Sequence, residues 1–320
     1  MHIIYFLFSQ TLLFAIPLLI VALGGMFSER SGVVNLALEG IMVMGGFGGI
    51  LFMHHMQNAM ILSGTPLLLA SLLVAGIVGL IFSLLHSFAA IHLKADQTIS
   101  GTALNMLGPA LAIFVAKTLQ DGVQNITFEN EFRIASIPIL SKIPFIGPMF
   151  FENFYLTTFL GIIILLISWY VLIKTKLGLH IRSCGENPQA ADAAGISVYK
   201  IRYIGVSISG FLAGIGGLVY ILPISTEFTG TVAGYGFLAL AVMIFGNWTP
   251  WRIAGASFFF GITKTLAYTY GSIPFLASLS LPDTVYKLIP YVATLVLLAF
   301  TSKHSAAPLA DGIPYDKSKR

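Results

Sequence analysis

Long apolar stretches without any charged residue dominate this sequence. No Asp, Glu, Lys or Arg occurs in residues 1–28, 40–93, 203–226 or 228–251. A helix of roughly 20 apolar residues crosses the hydrocarbon core of a bilayer, so the 54-residue stretch 40–93 has room for two crossings. The pattern predicts an all-α fold, a polytopic transmembrane helix bundle.

The apolar segments divide into about nine predicted spans, each close to the length that a bilayer requires. The spans are predicted at residues 3–27, 33–53, 66–92, 97–117, 153–173, 202–222, 231–246, 253–271 and 286–302. The second span opens with polar residues and the seventh is short and rich in glycine. At both places a half-span or a re-entrant segment is therefore an alternative.

The composition supports a membrane protein over the other broad classes. Of the 320 residues, 57% are hydrophobic and 9% are charged, whereas a soluble domain carries about 25% charged residues. These values exclude a water-soluble globule, a disordered chain and a nucleic-acid-binding protein. The single Cys184 excludes an intrachain disulfide and a cysteine-based metal cluster, and the histidines show no metal-ligand spacing.

Lys and Arg are distributed unevenly over the two sides of the predicted bundle. With the amino terminus placed outside, 12 of them fall on the inner side, 4 on the outer side and Lys264 within a span. Positive charge collects in cytoplasmic loops. The asymmetry predicts that the amino terminus is outside and the carboxyl terminus inside.

The spans and loops form one predicted membrane domain and a tail. The membrane domain covers residues 1–302, with an outer loop at 118–152 and a cytoplasmic loop at 174–201. Residues 303–320 form a polar cytoplasmic tail, which we expect to be mobile because chain ends are poorly ordered unless tied down.

The cytoplasmic loop contains the signals of a short helix. Asn187 is a preferred N-cap residue, Pro188 suits the first helical position, and Gly195 suits the left-handed position that ends a helix. A helix of about two turns is unstable alone, so it needs a partner surface. Two interpretations stay open: a connector packed on the spans, or a docking helix that transmits force from a cytoplasmic motor.

Three polar side chains within apolar surroundings are candidates for lining a solute pathway. Asn35 and Glu39 have the i, i+4 spacing of one helical face, and Asn105 lies one to two turns into the fourth span. A buried carboxylate is costly unless it is paired or faces water. Glu39 therefore either binds a polar solute or holds broken backbone or a neighbouring helix in place. Asn105 either contacts a substrate or bonds to a neighbouring helix.

A lysine lies in the middle of the eighth predicted span. Lys264 has Tyr268 one turn further along the helix, and a buried ammonium needs an anion or carbonyl groups. Glu39 is the best partner by depth. We expect Lys264 and Tyr268 to have a structural role within the membrane.

Several sequence signatures of catalysis are missing. The chain has no G-x-x-x-x-G-K-[ST] nucleotide loop, no nucleophile elbow and no zinc motif, and it lacks a soluble domain large enough for catalysis. Any energy from ATP must come from a separate chain. An ion-coupled secondary transporter, with Glu39 as its main embedded carboxylate, and a passive channel are the rival classes.

Four segments resemble the membrane permeases of bacterial ABC importers for nucleosides, a branch of the ribose and branched-chain amino-acid permease superfamily. They are GGMFSERSGVVNLALEG at 24–40, ADQTISGTALN at 95–105, GENPQAADAAG at 185–195 and FGNWTPW at 245–251. The resemblance runs from about residue 12 to residue 300. It implies uptake of nucleosides, or of ribose or another simple sugar, across the bacterial cytoplasmic membrane.

The resemblance also implies partners. A second permease subunit, expected to be a different chain, would complete the pathway, and an extracellular substrate-binding protein or lipoprotein would deliver the solute. A cytoplasmic ABC ATPase would use ATP, and this chain would bind no cofactor and no metal. The residues implied to dock the ATPase are Gly185, Glu186, Asn187, Pro188, Ala190, Ala191, Asp192 and Gly195.

Overall fold

The fold is known from a computed structural model. It describes residues 2–138, 141, 143–144, 146–273, 276, 278–279, 282–301 and 306–317. Residues 302–305 and 318–320, which belong to the predicted ninth span and tail, lie outside the described residues.

Helices make up most of the described chain, as the apolar pattern predicts. The long helices are α1 (His2–Arg30), α2 (Leu38–Asn58), α3 (Gly64–Ile91), α4 (Gln97–Leu119), α6 (Leu156–Lys174), α9 (Val198–Ile224) and α11 (Pro250–Thr269). The shorter helices are α5 (Ile146–Phe150), α7 (Lys176–Glu186), α8 (Pro188–Ala193), α10 (Tyr235–Phe245), α12 (Asp283–Lys287) and α13 (Ile289–Thr301).

Five of the described helices are long and apolar enough to cross a membrane, judged by length and composition. They are α1, α3, α4, α6 and α9, and α10 is a shorter apolar helix. Large apolar side chains on their outward faces are exposed, for example Leu73, Ile81, Met106, Phe114 and Ile167. Exposed apolar area of this extent is typical of a surface that meets lipid or another protein.

The predicted span ends differ from the helix ends by a few residues, and three spans differ most clearly. The predicted second span, 33–53, is wrong at its start because residues 31–37 are not helical and α2 begins at Leu38. The predicted seventh span starts too early, since residues 231–234 precede α10. The predicted ninth span is divided at Leu288 between α12 and α13.

Helix α9 lies at the centre of the bundle and packs against α1, α2 and α3. Glycine makes these contacts close. A methyl group added to Gly45 of α2 would lie 2.2 Å from Cα of Gly214 in α9, and one added to Gly79 of α3 would lie 2.4 Å from the Gly210 carbonyl oxygen. Small residues let helix backbones approach in this way, and most of α9 is buried as a result.

The segment between α4 and α6 and the segment after α9 contain short strands that the apolar pattern does not predict. Strand β1 (Ile126–Thr127) pairs antiparallel with β4 (Glu227–Phe228), and β2 (Arg133–Ser136) pairs antiparallel with β3 (Glu152–Tyr155). The first pair joins the segment after α4 to the segment after α9. It lies at the opposite end of the bundle from α8, and we call the other end the α8 end.

Candidate functional site

The connection between α6 and α9 is helical almost throughout. Within the predicted loop 174–201 the sequence predicts one short helix, whereas the structure also contains α7 (Lys176–Glu186), which the Thr175 hydroxyl caps by accepting a hydrogen bond from the Gly178 N–H at 3.2 Å. The apolar side chain of Ile181 faces the bundle and the polar Arg182 lies nearer the surface. The amphipathic pattern of α7 extends over only three turns, which is a weak signal for a helix.

Helix α8 forms with the predicted signals. The Asn187 side-chain oxygen accepts a hydrogen bond from the Ala190 N–H at 3.0 Å, and Pro188 occupies the first turn. Gly195 has a φ of +83°, the left-handed conformation expected after the helix. The prediction of a short helix capped by Asn187 is confirmed, and the helix is six residues long.

The exposed residues of α8 are the small Ala190 and Ala193 together with the longer Gln189. Pro188 and Ala191 are buried against the protein and Asp192 is half-buried, whereas Ala190 and Gly195 are exposed. Just before α8, Gly185 is buried and Glu186 is exposed. The helix is therefore fixed to the membrane domain by one side and leaves the other free for a partner.

Arg30, at the end of α1, connects α7 to the turn between α10 and α11. Its guanidinium donates two hydrogen bonds of 3.2 Å to the Trp248 carbonyl oxygen and lies 3.6 Å from the Glu186 carboxylate. The neighbouring Glu29 accepts a 2.6 Å hydrogen bond from the Trp248 indole N–H. Glu186, just before α8, is thus linked through the end of α1 to the turn between α10 and α11.

The tail is packed, so the expectation of a mobile tail is wrong for residues 306–317. The Ala310 N–H donates to the Gly185 carbonyl oxygen at 2.8 Å, and the Ala306 N–H donates to the Asn247 side chain at 2.7 Å. Lys94 and Asp316 form an ion pair at 3.0 Å. The segment crosses the α8 end of the bundle and covers the junction of α1, α7 and α9.

Under the tail lies a group of buried charges that sequence reasoning missed. Arg202 is 1% exposed and donates a 2.9 Å hydrogen bond to the Ile313 carbonyl oxygen, while Asp311 shares a hydrogen bond with Glu29. Burial raises the pKa of Asp311 to about 7, against the opposing effects of the Gly312 N–H and the Arg202 charge. The sequence signal was weak, because the partners are far apart along the chain.

Asn35 and Asn105 both bond to backbone or side chains near the start of α2. Asn35 precedes the helix, so the predicted shared helical face with Glu39 is wrong; it donates to the Ser209 hydroxyl at 2.9 Å. Asn105 accepts from the Gly40 N–H at 2.8 Å and donates to the Leu36 carbonyl oxygen at 2.6 Å. Their role in a solute pathway stays a prediction.

Glu39 holds the start of α10. One carboxylate oxygen accepts a hydrogen bond from the Gly234 N–H at 2.8 Å and the other accepts one from the Gly236 N–H at 2.6 Å. These are N–H groups at the amino-terminal end of a helix, which lack partners within the helix and attract negative charge. The carboxylate thus anchors the junction between the non-helical segment 225–234 and α10.

Lys264 contacts aromatic rings. Its Nζ lies 5.2 Å from the centre of the Tyr235 ring and 5.7 Å from that of Tyr268. Between described residues the ion pairs are Arg30–Glu186 and Lys94–Asp316, so the expected pair of Lys264 with Glu39 does not form. The described part of the chain also contains no cluster of three or more His, Cys, Asp or Glu side chains suited to a metal ion.

The fold and these contacts define a polytopic, mostly helical membrane protein with a structured connection on one face. Residues 7–299 match the family described as branched-chain amino acid transport system / permease component. The chain belongs to this family of membrane permeases.

Several characterised proteins are similar over nearly the whole chain. It is 43% identical to the guanosine ABC transporter permease protein NupQ of Bacillus subtilis and 43% identical to the nucleoside ABC transporter permease protein NupC of Lactococcus lactis, each time over 97% of this chain and 96% of the relative. It is 29% identical to TsgC13 of Haloferax volcanii, which is named as a putative glucose ABC transporter permease protein. That match covers 92% of this chain and 91% of the relative. No solved structure matches the chain.

Proposed function

We propose that this chain is the permease subunit of an ATP-driven importer for nucleosides. The single observation that carries the proposal is its 43% identity, over nearly full length, to permeases named for guanosine and for nucleosides. The chain provides the solute pathway, and ATP is hydrolysed by a partner and not by this chain. TsgC13 makes a simple sugar the second candidate for the cargo.

The proposed coupling surface is the exposed side of α8 with the residues before it. The small side chains of Ala190 and Gly195 leave room for a groove of an ATPase to close around the helix, and Asn187 and Pro188 fix where the helix begins. Movement of α8 would reach α1 and α10 through Glu186, Arg30 and Trp248. The pathway would then open alternately to the two sides.

The proposed assembly contains a second permease, two ATPase domains and an extracellular binding protein. In this assembly the chain crosses the bacterial cytoplasmic membrane about nine times, with the amino terminus outside and the α8 end inside. Residues 1–302 are the membrane domain, with the outer loop 118–152 and the coupling loop 174–201, and residues 303–320 are the cytoplasmic tail. Asn35, Glu39 and Asn105 lie along the proposed pathway.

Two experiments test this function. Affinity purification from native membranes, followed by mass spectrometry, should recover an ABC ATPase, a second permease and a binding lipoprotein. The purified assembly in proteoliposomes should accumulate labelled nucleoside only when ATP is enclosed with the ATPase.

An ion-coupled transporter would give a different result. Its uptake would survive ATP depletion and collapse with a protonophore. Accumulation of nucleoside by the purified chain alone would contradict the proposal. If the assembly transported ribose or glucose but no nucleoside, the cargo would be a sugar and the importer would still be ATP-driven.

A further inference from the structure

Aromatic rings cluster around the half-buried Lys264. The rings of Tyr220 and Tyr235 have centres 4.0 Å apart, Lys264 lies over Tyr235 and Tyr268, and Phe14 stacks on Tyr268 with centres 5.4 Å apart. The side chains come from α1, α9, α10 and α11. Four helices therefore meet at one aromatic and cationic group.

The polar atoms of this cluster are not needed for packing. Tyr235 is 1% exposed, and its hydroxyl has no hydrogen-bond partner among the described residues. Lys264 is half-buried and has only ring faces as its described contacts. Unpaired polar groups in an apolar interior are costly, and phenylalanine and methionine would fill the same space without that cost. The polar atoms therefore indicate a polar ligand.

The cluster lies at the break in the backbone that Glu39 anchors. Tyr235 is the first residue of α10, and its neighbours Gly234 and Gly236 donate to Glu39. Beside Tyr220, a cleft of about 130 Å³ has a mixed lining of polar residues (Ser225, Glu227, Thr229 and Thr231) and apolar residues (Ile221, Ile224, Phe228 and Ala233). A small cleft with polar groups in its wall thus adjoins the aromatic group at Tyr220.

One side of the cluster is open at the surface of this chain. Exposure rises from 1% at Tyr235 to 60% at Tyr268, and the cleft is smaller than the roughly 300–1,000 Å³ of typical ligand pockets. A second surface is needed to enclose a solute. This geometry fits half of a site that is completed by a second permease subunit.

We propose that Tyr220, Tyr235, Lys264 and Tyr268 form this chain's half of the solute-binding site, which takes the base of a nucleoside. The inference rests on the proposed nucleoside import. Every nucleobase can stack on an aromatic side chain, and a tyrosine hydroxyl can both donate and accept a hydrogen bond. The ammonium of Lys264 can only donate. Guanine offers it two adjacent acceptors, N7 and O6, whereas adenine has an amino donor beside N7, so the site favours a base with a carbonyl oxygen, as in guanosine, inosine or uridine, over adenosine.

The test compares uptake of guanosine and adenosine by the complete importer in proteoliposomes. Tyr235→Phe removes only the unpaired hydroxyl, Lys264→Met keeps the length of the side chain without its charge, and Tyr268→Leu removes an exposed ring. Tyr170→Leu is the matched control, because Tyr170 lies on α6 and is similarly exposed, at 58%. The binding protein is the same throughout, so a change in the ratio of the two uptake rates arises in the membrane.

We expect Lys264→Met to lower the guanosine-to-adenosine ratio by about tenfold, since a hydrogen bond from a charged donor is lost. Tyr235→Phe and Tyr268→Leu should raise the KM for guanosine several-fold, while Tyr170→Leu changes neither value. Unchanged uptake ratios and KM values, or an equal fall in the uptake rate of every nucleoside, would contradict the proposed binding site. The proposed function as a nucleoside importer would still stand. Failure of the wild-type importer to accumulate any nucleoside would overturn the proposed function, and the site with it.

Discussion

At the scale of single residues, the polar groups within the bundle bind backbone more than they bind one another. Glu39 accepts from two N–H groups of α10, Asn105 fixes the backbone at Leu36 and Gly40, and Arg30 donates to a carbonyl oxygen of the α10–α11 turn. In a membrane, backbone groups that leave regular helix must find such partners. The polar side chains therefore mark the places where the helices break.

Glu39→Gln should destabilise the break before α10. The amide has one accepting oxygen, so one of the Gly234 and Gly236 N–H groups would face an NH2 donor and lose a charge-assisted hydrogen bond. We expect a loss of about 1–3 kcal/mol, measured as a lower thermal midpoint in detergent. Glu129→Gln, on the outer loop, should have no effect. Equal midpoints for Glu39→Gln and wild type would show that this anchor contributes nothing.

Asp311 should make the packing of the tail sensitive to pH. Burial raises its pKa to about 7 in the packed tail, against about 4 for a free carboxyl. The packed state then binds more protons than the released state between about pH 4 and 7, so packing is strongest in acid and weakens as the pH rises to 7. The groups facing Asp311 are Glu29, Arg202 and the Gly312 N–H.

A spin label on Leu309→Cys can report this change, because Leu309 is exposed and the native Cys184 is buried. The label should become more mobile between pH 5.5 and pH 8. The additional substitution Asp311→Asn should remove the pH dependence. If the label in the variant that keeps Asp311 had equal mobility at both pH values, Asp311 would not control the packing of the tail.

At the scale of helices, the connection at 174–201 shows what local sequence determines. The cap, first-turn proline and left-handed glycine of α8 are short-range signals, and all three are found where the sequence places them. Helix α7 was missed because it is amphipathic for only three turns and depends on contacts with α6 and α9. Propensity alone does not determine helices of this length, since tertiary packing stabilises them.

Asn187→Ala should uncouple ATP hydrolysis from nucleoside transport. It removes the cap of α8, which costs about 0.5–2 kcal/mol of helix stability, and the first turn should fray. In proteoliposomes we expect nucleoside uptake per ATP hydrolysed to fall several-fold while the chain still inserts. Ser197→Ala is the control, because Ser197 precedes α9 without a side-chain capping bond. A wild-type ratio in Asn187→Ala would contradict the proposed docking at α8.

At the scale of the whole molecule, the long charge-free apolar stretches predicted a mostly helical bundle and most of its long helices. They gave no information about places where distant segments meet. The tail beneath α8, the pairing of β1 with β4 and the ring cluster around Lys264 each join residues separated by dozens of positions. Such contacts depend on the packing of the whole bundle. The polar sequence of the tail indicated mobility, whereas its backbone is held by the glycine at 185 and the arginine at 202.

Deleting residues 306–320 should loosen the α8 end as a unit. Arg202 would lose the Ile313 carbonyl oxygen and the nearby Asp311, and an unpaired buried charge costs more than the hydrogen bond itself. We expect a lower thermal midpoint and fewer nucleosides transported per ATP, since Gly185, beside α8, also loses its contact with Ala310. The paired substitution Lys94→Gln with Asp316→Asn removes a partly exposed ion pair, which is worth about 0–1 kcal/mol, so it should stay near wild type. If the deletion matched this control, the tail would not support the coupling surface.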